Sequence, residues 1–454
     1  MGSNATADRP PAVELVSDTV LDPSALFFVS YDGVVNNNSF QRDAILTHAG
    51  HQYATWYTGS RHAVVARRAL DGGTWEHVVL PHRLRVDDSH NVISLGLSPL
   101  DGTLHVAMDT HDNRIFSVKS REGLTTRPRE VPWDASAFGP VRRTLDGVDL
   151  GELTYPQFVV TPEGVLQLSY RTGCSGNGVN ELAEYRDGTW RRLGAWSSAT
   201  GDYTGPNGVV STTRNMYLHG LDYDRRGRLH AAFTWREGDR RVLCADGGLA
   251  NHDTGYVYSD DRGRTWRADT GAVVGTTGGE PVGVSSPGVL VDRLGPDRGL
   301  MNQESQAVDS TGTPHVVISY VPERFARCVS DYAAQRTRFA RTFHLTRSAG
   351  TWTKREVPVP PGSTQRTKLV LDRADNAYLV MPGGRIVTAA AADGWTRWAT
   401  AFTPTSFDAF GEVNVDTSRV AVDGVLSVQY QRKSTGATPS AIHVADFRLD
   451  VGSG

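Results

Sequence analysis

Lysine is almost missing from this 454-residue chain: Lys119, Lys354, Lys368 and Lys433 are the only ones among 47 basic residues, and the rest are arginines. A GC-rich coding bias accounts for this as readily as selection for carboxylate-binding forks does. Nor is there a block of one sign of charge. With 50 acidic residues the net charge is −3, so neither a nucleic-acid backbone nor an anionic membrane is an expected partner. No stretch approaches the roughly 18 apolar residues of a membrane span. Three cysteines, Cys174, Cys244 and Cys328, are too few and too scattered for a disulfide framework, which leaves stability to a core. Long amphipathic helix signals are missing too, which argues against a helical bundle. The opening "MGSNATADRPPAVE" has neither the basic nor the hydrophobic region of a signal peptide. The protein is nonetheless expected to be secreted, with its leader already removed, and to be a monomer.

What is present is repetition. Apolar alternation, a turn of Asp, Gly, Pro or Asn, and renewed alternation recur in "AILTHAGHQYATWY", "LGLSPLDGTLHVAMD", "FVVTPEGVLQLSYR", "LDYDRRGRLHAAFTW", "AVDSTGTPHVVISY", "LVLDRADNAYLVM" and "VAVDGVLSVQY". Each reads as a β-hairpin. Between them lies a second turn with a tryptophan, as in "DGGTWEHVVL", "RDGTWRRLGAW" and "SAGTWTKREV". One copy, Ser259 to Trp266, fits the Asp-box pattern S-x-D-x-G-x-T-W, a turn device in which Asp261 and Trp266 are structural. Two hairpins per repeat make four strands, the content of a propeller blade. The sequence therefore predicts an all-β fold, a single seven-bladed β-propeller domain over 1–454. Residues 1–12 and 451–454 should lie outside the folded part, and "LFFVSYDG" and "AIHVADFRL" should complete one blade. The fourth interval, around 236–305, should carry an elaborated Gly- and Ser-rich loop.

Hairpin symmetry then gathers a site. Residues equidistant from a turn face each other across an antiparallel ladder. His90 and His111 are symmetric about the Leu100-Asp101 turn, and Tyr155 and Arg171 about Glu163. Both pairs should sit at the end of their hairpins away from the turn, on neighbouring blades, at one rim of the central channel. Eliminating a 4-linked sugar from a uronate needs a base for the proton alpha to the carboxylate, a cation to neutralise that carboxylate, and a proton for the leaving oxygen. Arg171 is the fork for the carboxylate. His90 and Tyr155 are base and acid in either order, and His111 orients or shares charge. His105, His219, His230 and His315 read as structural. Asp109 and Asp112 flank His111 and read equally well as turn residues.

The segments "NNNSFQRDAI", "SHNVISLGLSPLDGTLHVAMD", "TYPQFVVTPEGVLQLSYRTGCSGNG", "RLHAAFTWRE" and "NHDTGYVYSDDRGRTW" resemble the seven-bladed propeller polysaccharide lyases with BNR/Asp-box repeats. These comprise the ulvan lyases and the enzymes that cleave rhamnosyl-(1→4)-glucuronate ends of arabinogalactan. The likeness covers roughly residues 35 to 270. It implies His90, His111, Tyr155 and Arg171 as the catalytic set, with a uronate-containing polysaccharide or oligosaccharide as partner. Asn38, Asn91, Asn177, Arg214 and Asn215 are the candidate substrate-binding residues. Where ulvan lyases tend to show a doubled His, this chain has "DTHDN", which favours the rhamnose-glucuronate branch, as on gum arabic. No cofactor is expected for catalysis. The family's structural metal, zinc or calcium, would find its soft ligands in Cys244, His252, Cys328 and His344. The alternatives are an ulvan lyase, an α-L-rhamnosidase or sialidase-like hydrolase, and a non-catalytic carbohydrate-binding propeller. A hydrolase by the usual route would want two carboxylates on the rim, and a sialidase a set of three arginines with a Tyr/Glu pair.

Overall fold

The computed structural model describes residues 10–245, 248–325, 328, 331–348 and 350–449. Of the ends expected to lie outside the fold, 1–9 and 450–454 fall outside the described residues, and regular structure begins at Val13. The chain forms antiparallel sheets in sequence order, in a propeller-like all-β arrangement. Six sheets have four strands or more, and Ser94–Leu97, Leu104–Met108 and Phe116–Lys119 form a three-stranded one. The first strand of one sheet packs on that of the next, as where Ser94–Leu97 meets Glu152–Val160 and Ser305–Val308 meets Lys368–Leu371. The elaborated interval does not stay a loop: Thr265–Ala268 and Val273–Thr276 extend the sheet of Val210–Tyr223, and Leu290–Asp292 pairs with Asn251–Ser259.

The ring is closed by the two ends of the chain. Val13–Ala25 pairs with Ser440–Leu449 over most of its length. The strand that completes this sheet is thus not "LFFVSYDG" but the segment before it. Residues 29–34 instead make a two-stranded ribbon of Val29–Ser30 and Gly33–Val34. One expected hairpin arm is also not a strand, since Thr417–Asp423 is a short helix. Its apolar alternation fits either period, but Asp416 accepts from the Arg419 backbone N–H and Gly424 closes it at φ 72°. An N-cap acid and a left-handed C-terminal glycine decide for helix.

Packing between sheets supplies the core the sequence demands. Trp266 of the Asp box is fully buried and stacks on Trp196 at 4.1 Å. The Asp261 carboxylate accepts from the backbone N–H groups of Arg264 (3.1 Å) and Thr265 (2.7 Å), so this turn is the structural device its sequence suggests.

The segment 36–43 threads the axis, and its polar side chains bond to strands of different sheets. Asn37 donates to the Gln429 carbonyl, Asn38 to that of Ser89, Ser39 to that of Glu304 and Gln41 to that of Ile93. The Gln157 amide donates to the Phe40 carbonyl, and Arg42 pairs with Asp222 at 3.2 Å. Lys368, buried among these groups, bonds the Ser39 carbonyl, and burial pulls its ammonium down to about 7. A buried polar thread is stable only when its groups are paired. This one fills the axis between the histidine end of the ring and a cavity of about 600 Å³ among the hairpin turns at the opposite end.

Candidate active site

The sheet of Ser94–Leu97 and Leu104–Met108 keeps the expected register: Ser94 faces Ala107 and Leu97 faces Leu104. Extrapolated four residues beyond the ladder, it brings His90 opposite His111. Their rings stack with centroids 4.3 Å apart and an interplanar angle of 21°. What the sequence reading missed is the group that binds them together. Asp88 accepts from His90 Nδ1 at 2.7 Å through one oxygen and from His111 Nδ1 at 2.6 Å through the other. Its position two residues before His90 was visible in "DDSHN", and Oδ1 also caps the His90 backbone N–H at 2.9 Å.

Burial alone would raise the Asp88 carboxyl, but the hydrogen bonds from His111 and His90 hold it well below the usual carboxylate range. An ionised carboxylate only accepts, so both Nδ1 atoms carry the proton. In the neutral imidazoles both Nε2 atoms are therefore lone-pair acceptors. Burial lowers the His90 pKa, with Asp88 opposing, so this imidazole is neutral at neutral pH.

The neighbouring sheet departs from strict symmetry by one residue. Thr154, not Tyr155, faces Arg171, because a bulge at Tyr155 and Pro156 shifts the register before Gln157 faces Ser169. Tyr155 sits there at φ 58°, a strained region for a non-glycine residue. Proline lacks the N–H that a regular ladder would need and is tolerated at bulges. The bulge turns the phenol sideways, with the Arg171 guanidinium carbon 5.2 Å from its ring centroid and the His90 ring 5.9 Å away. Phe40 of the axial segment fills the gap, stacked on His90 at 5.4 Å and edge-on to Tyr155 at 5.0 Å. Tyr31, 74% exposed, stands edge-on to His90 at 4.7 Å and offers an open aromatic face at the mouth.

Arg171 is deeper than the sequence suggests, its side chain 3% exposed. Its Nη2 donates to Asp112 Oδ1 at 2.8 Å and to Thr154 Oγ1 at 3.1 Å, and its Nη1 to the Tyr217 hydroxyl at 3.4 Å. Asp112 is thus a partner of the site and no mere turn residue, whereas Asp109 is buried behind it against His82 and Arg85. Tyr217 is a second missed member. Its ring lies 5.9 Å from that of Tyr155, and its hydroxyl meets Ser175 Oγ at 3.3 Å. Burial would raise its pKa, but Arg236 and Arg171, with hydrogen bonds to Ser175 and Tyr155, bring it below the ordinary phenol value. Tyr155, for which burial dominates, is held well above. The glycines of "RTGCSGNG" allow this approach, for Gly176 sits at φ 79° and a Cβ there would come within 2.6 Å of the Gly238 Cα.

The candidate substrate-binding residues fare unevenly. Arg214 is fully buried, bound through Nε and Nη2 to Glu237 at 2.8 and 3.1 Å, and cannot reach a sugar. Asn215 is buried and accepts from the Gly176 N–H at 2.5 Å. Asn38 is spent on the Val34 and Ser89 carbonyls, and Asn91 is buried with its carbonyl accepting from the Tyr57 hydroxyl at 2.9 Å. Only Asn177, at the tip of the glycine-rich hairpin, is exposed. The four residues are also not one metal site. Cys244 and Cys328 form a disulfide, their Cα atoms 5.2 Å apart, while Cys174 is free and exposed. His252 lies between Glu237 (2.9 Å) and Asp253 (3.1 Å), and His344 bonds His315 at 2.9 Å. A disulfide has no thiolates to offer a metal, so this donor set does not fit one. Elsewhere, the ligand atoms of Asp88, His90 and His111 lie within 4.8 Å of one another, but their short hydrogen bonds occupy the facing atoms. His105, His219, His230 and His315 are all buried, as structural histidines should be.

An all-β propeller with an acid-base pocket at one end of its axis is the class these features define. Residues 51–359 match the BNR repeat-containing family, and the chain belongs to it. It is 27% identical over 262 residues to the long isoform of an ulvan lyase from Pseudoalteromonas sp. (strain PLSV), 49% of this chain and 25% of that protein. It is 24% identical over 278 residues to a short-isoform ulvan lyase from Alteromonas sp. (strain LOR), 51% of this chain and 50% of the relative. The matched part thus spans a quarter to a half of the length of these curated relatives. Among solved structures, the polysaccharide lyase Uly1 superposes with a TM-score of 0.73 at 18% identity, covering 96% of this chain and 100% of that one. A PL25 ulvan lyase bound to -[GlcA(1-4)Rha3S]- gives 0.64 at 14%, covering 94% and 95%. At these identities the superpositions establish the fold.

Proposed function

We propose that the protein is a polysaccharide lyase that cleaves a rhamnosyl-(1→4)-glucuronate linkage by β-elimination. The observation that carries the reading is the Asp88 bridge, which holds the proton on Nδ1 of both imidazoles and leaves the His90 Nε2 lone pair available next to Tyr155, whose ring carries the Arg171 guanidinium. His90 Nε2 takes the proton alpha to the uronate carboxylate. Arg171 and the Tyr217 hydroxyl donate to that carboxylate and stabilise the charge that develops on it. As the C4–O4 bond breaks and the C4–C5 double bond forms, the Tyr155 hydroxyl, kept protonated by burial, gives its proton to the leaving oxygen. The products are a 4,5-unsaturated glucuronate and a new sugar end.

A hydrolase would need two free carboxylates about 5 to 9 Å apart. Asp88 is held by two histidines and Asp112 by Arg171, so neither is free for that role. Within the lyase reading, the curated relatives favour ulvan over arabinogalactan as substrate. The three-stranded sheet would count as a seventh blade, and secretion suits both a polymeric substrate and the Cys244–Cys328 disulfide. Incubation with ulvan and with gum arabic should release the ultraviolet-absorbing unsaturated uronate from at least one. Reducing ends released with no such absorbance would overturn elimination in favour of hydrolysis.

A further inference from the structure

The cavity of about 600 Å³ at the far end of the axis shares no residue with the acid-base pocket. Its walls are largely aliphatic, with Leu46, Leu95, Leu97, Leu221 and Val370. Its floor, against the axial thread, is polar. There Asp222 pairs with Arg42 at 3.2 Å and accepts from the Gln306 amide at 2.6 Å. The aspartates nearer the mouth are spent as well. Asp224, Asp309 and Asp372 each accept from a backbone N–H of their own turn, and Asp375 accepts from Ser310. Two groups stand apart from this pairing. Asp43, two residues before Ile45–His48, lines the cavity with a carboxyl that makes no hydrogen bond or ion pair among the described residues. Lys368, the first residue of Lys368–Leu371, is 7% exposed, and its ammonium meets the Ser39 carbonyl and no carboxylate among the described residues. The two act on each other through space without pairing, and burial lifts the Asp43 carboxyl to about 7 while it lowers the Lys368 ammonium to about 7. Unmatched polar groups in a buried wall cost free energy until something completes them. A few convergent polar groups in a concave, mostly apolar wall are the form of a small-molecule site.

We propose that this cavity is a second carbohydrate site, for a neutral sugar whose adjacent hydroxyls bridge Asp43 and Lys368. The sugar is a free monosaccharide or the end unit of a chain, because strands wall the cavity and the axial thread floors it. A hydroxyl both donates and accepts, so a diol completes the two groups whichever of them holds the proton, whereas a fixed charge suits only one. The aliphatic wall takes the C–H face of the ring out of water. The lining carries six aspartates against three arginines and one lysine, so it repels a uronate or a sulfated sugar. The two ends of the axis thus select opposite kinds of sugar, and the site stands or falls independently of the lyase reading.

The test is calorimetric titration, which needs no turnover. Methyl α-L-rhamnoside, methyl β-D-galactoside, a neutral galacto-oligosaccharide and glucuronate are titrated into the wild type, Asp43→Asn and Ser418→Trp. The first substitution removes the floor carboxyl, and the second plugs the mouth from the half-buried Ser418 of helix Thr417–Asp423 without touching the floor. Melting temperatures verify that each variant folds, and either variant alone locates the site. At least one neutral glycoside should bind the wild type, about 10- to 100-fold more weakly to Asp43→Asn, the equivalent of one hydrogen bond to a charged group, and not at all to Ser418→Trp. Glucuronate should not bind at this end. Binding of the oligosaccharide together with a methyl glycoside assigns chain ends as the source, and binding of a glycoside alone assigns the free sugar; both support the site. If no neutral glycoside binds, the cavity holds water alone and the proposal is overturned. Binding that both folded variants retain at wild-type strength places the sugar elsewhere, and glucuronate binding that the two substitutions abolish refutes a neutral ligand.

Discussion

Replacing Asp88 tests the site most sharply, because the structure says which bond each substitution breaks. In Asp88→Asn the amide oxygen should take the place of Oδ1, where it can accept from both the His90 backbone N–H and His90 Nδ1, now 2.9 and 2.7 Å away. The amide nitrogen then faces His111 Nδ1, where the carboxylate accepts at 2.6 Å. Two donors cannot bond, so His111 must pass its proton to Nε2 and lose its free lone pair there, while His90 keeps its tautomer. One charge-assisted hydrogen bond is worth about 1.5–3 kcal/mol, about 10- to 100-fold in kcat/KM. Asp88→Ala removes both bonds and should cost roughly the square of that, about 10²- to 10⁴-fold. The pH profile gives an independent sign. Asp88 raises the His90 pKa against the lowering by burial, so its removal lowers that pKa further. The acidic limb of kcat/KM, which reports the free base, should move to lower pH as the plateau falls. Initial rates of unsaturated-uronate release across pH, with melting temperatures to verify folding, make the assay. Variants that are well folded and within about threefold of wild type, or an acidic limb that moves upward, would refute the arrangement of two imidazoles on one carboxylate.

Tyr155→Phe should lower kcat by about 10²- to 10⁴-fold with little change in KM, since it removes the leaving-group proton and leaves the aromatic wall; chromatography of wild-type and variant digests verifies it. Arg214→Gln should destabilise the fold by about 3–5 kcal/mol, because the fully buried Glu237 would lose its bidentate arginine and keep only His252. Denaturant unfolding measures this, and KM should stay near wild type at temperatures where the variant is folded. Cys244→Ser with Cys328→Ser should cost about 2–4 kcal/mol, since the disulfide closes a span of 84 residues. Thermal unfolding with and without reductant should then coincide in the double variant and differ in the wild type. Trp266→Ala should cost about 3–5 kcal/mol by removing the buried stack on Trp196, read by the same unfolding curves.

What the sequence alone determined is whatever depends on local pattern and symmetry. Alternation and turn residues declared the strands, and the constant register of an antiparallel ladder brought His90 to His111 across 21 positions. The same rule placed Tyr155 with Arg171 to within one residue, and it slipped where Pro156 forced a bulge that symmetry does not contain. A periodicity that suits both strand and helix misread 420–423, which belong to the helix Thr417–Asp423, where caps and not alternation decide. Only the tertiary structure could decide what depends on contacts distant in the chain. The axial thread at 36–43, the pairing of Cys244 with Cys328, the burial of Arg214 against Glu237 and the placing of Tyr217 between Arg171 and Arg236 all fall in this class. An asparagine, an arginine or a cysteine has the same one-letter signature whether it faces a sugar, a carbonyl or another sulfur. Its partner is fixed only when neighbouring sheets close around the axis and leave each polar group either paired or open to the pocket.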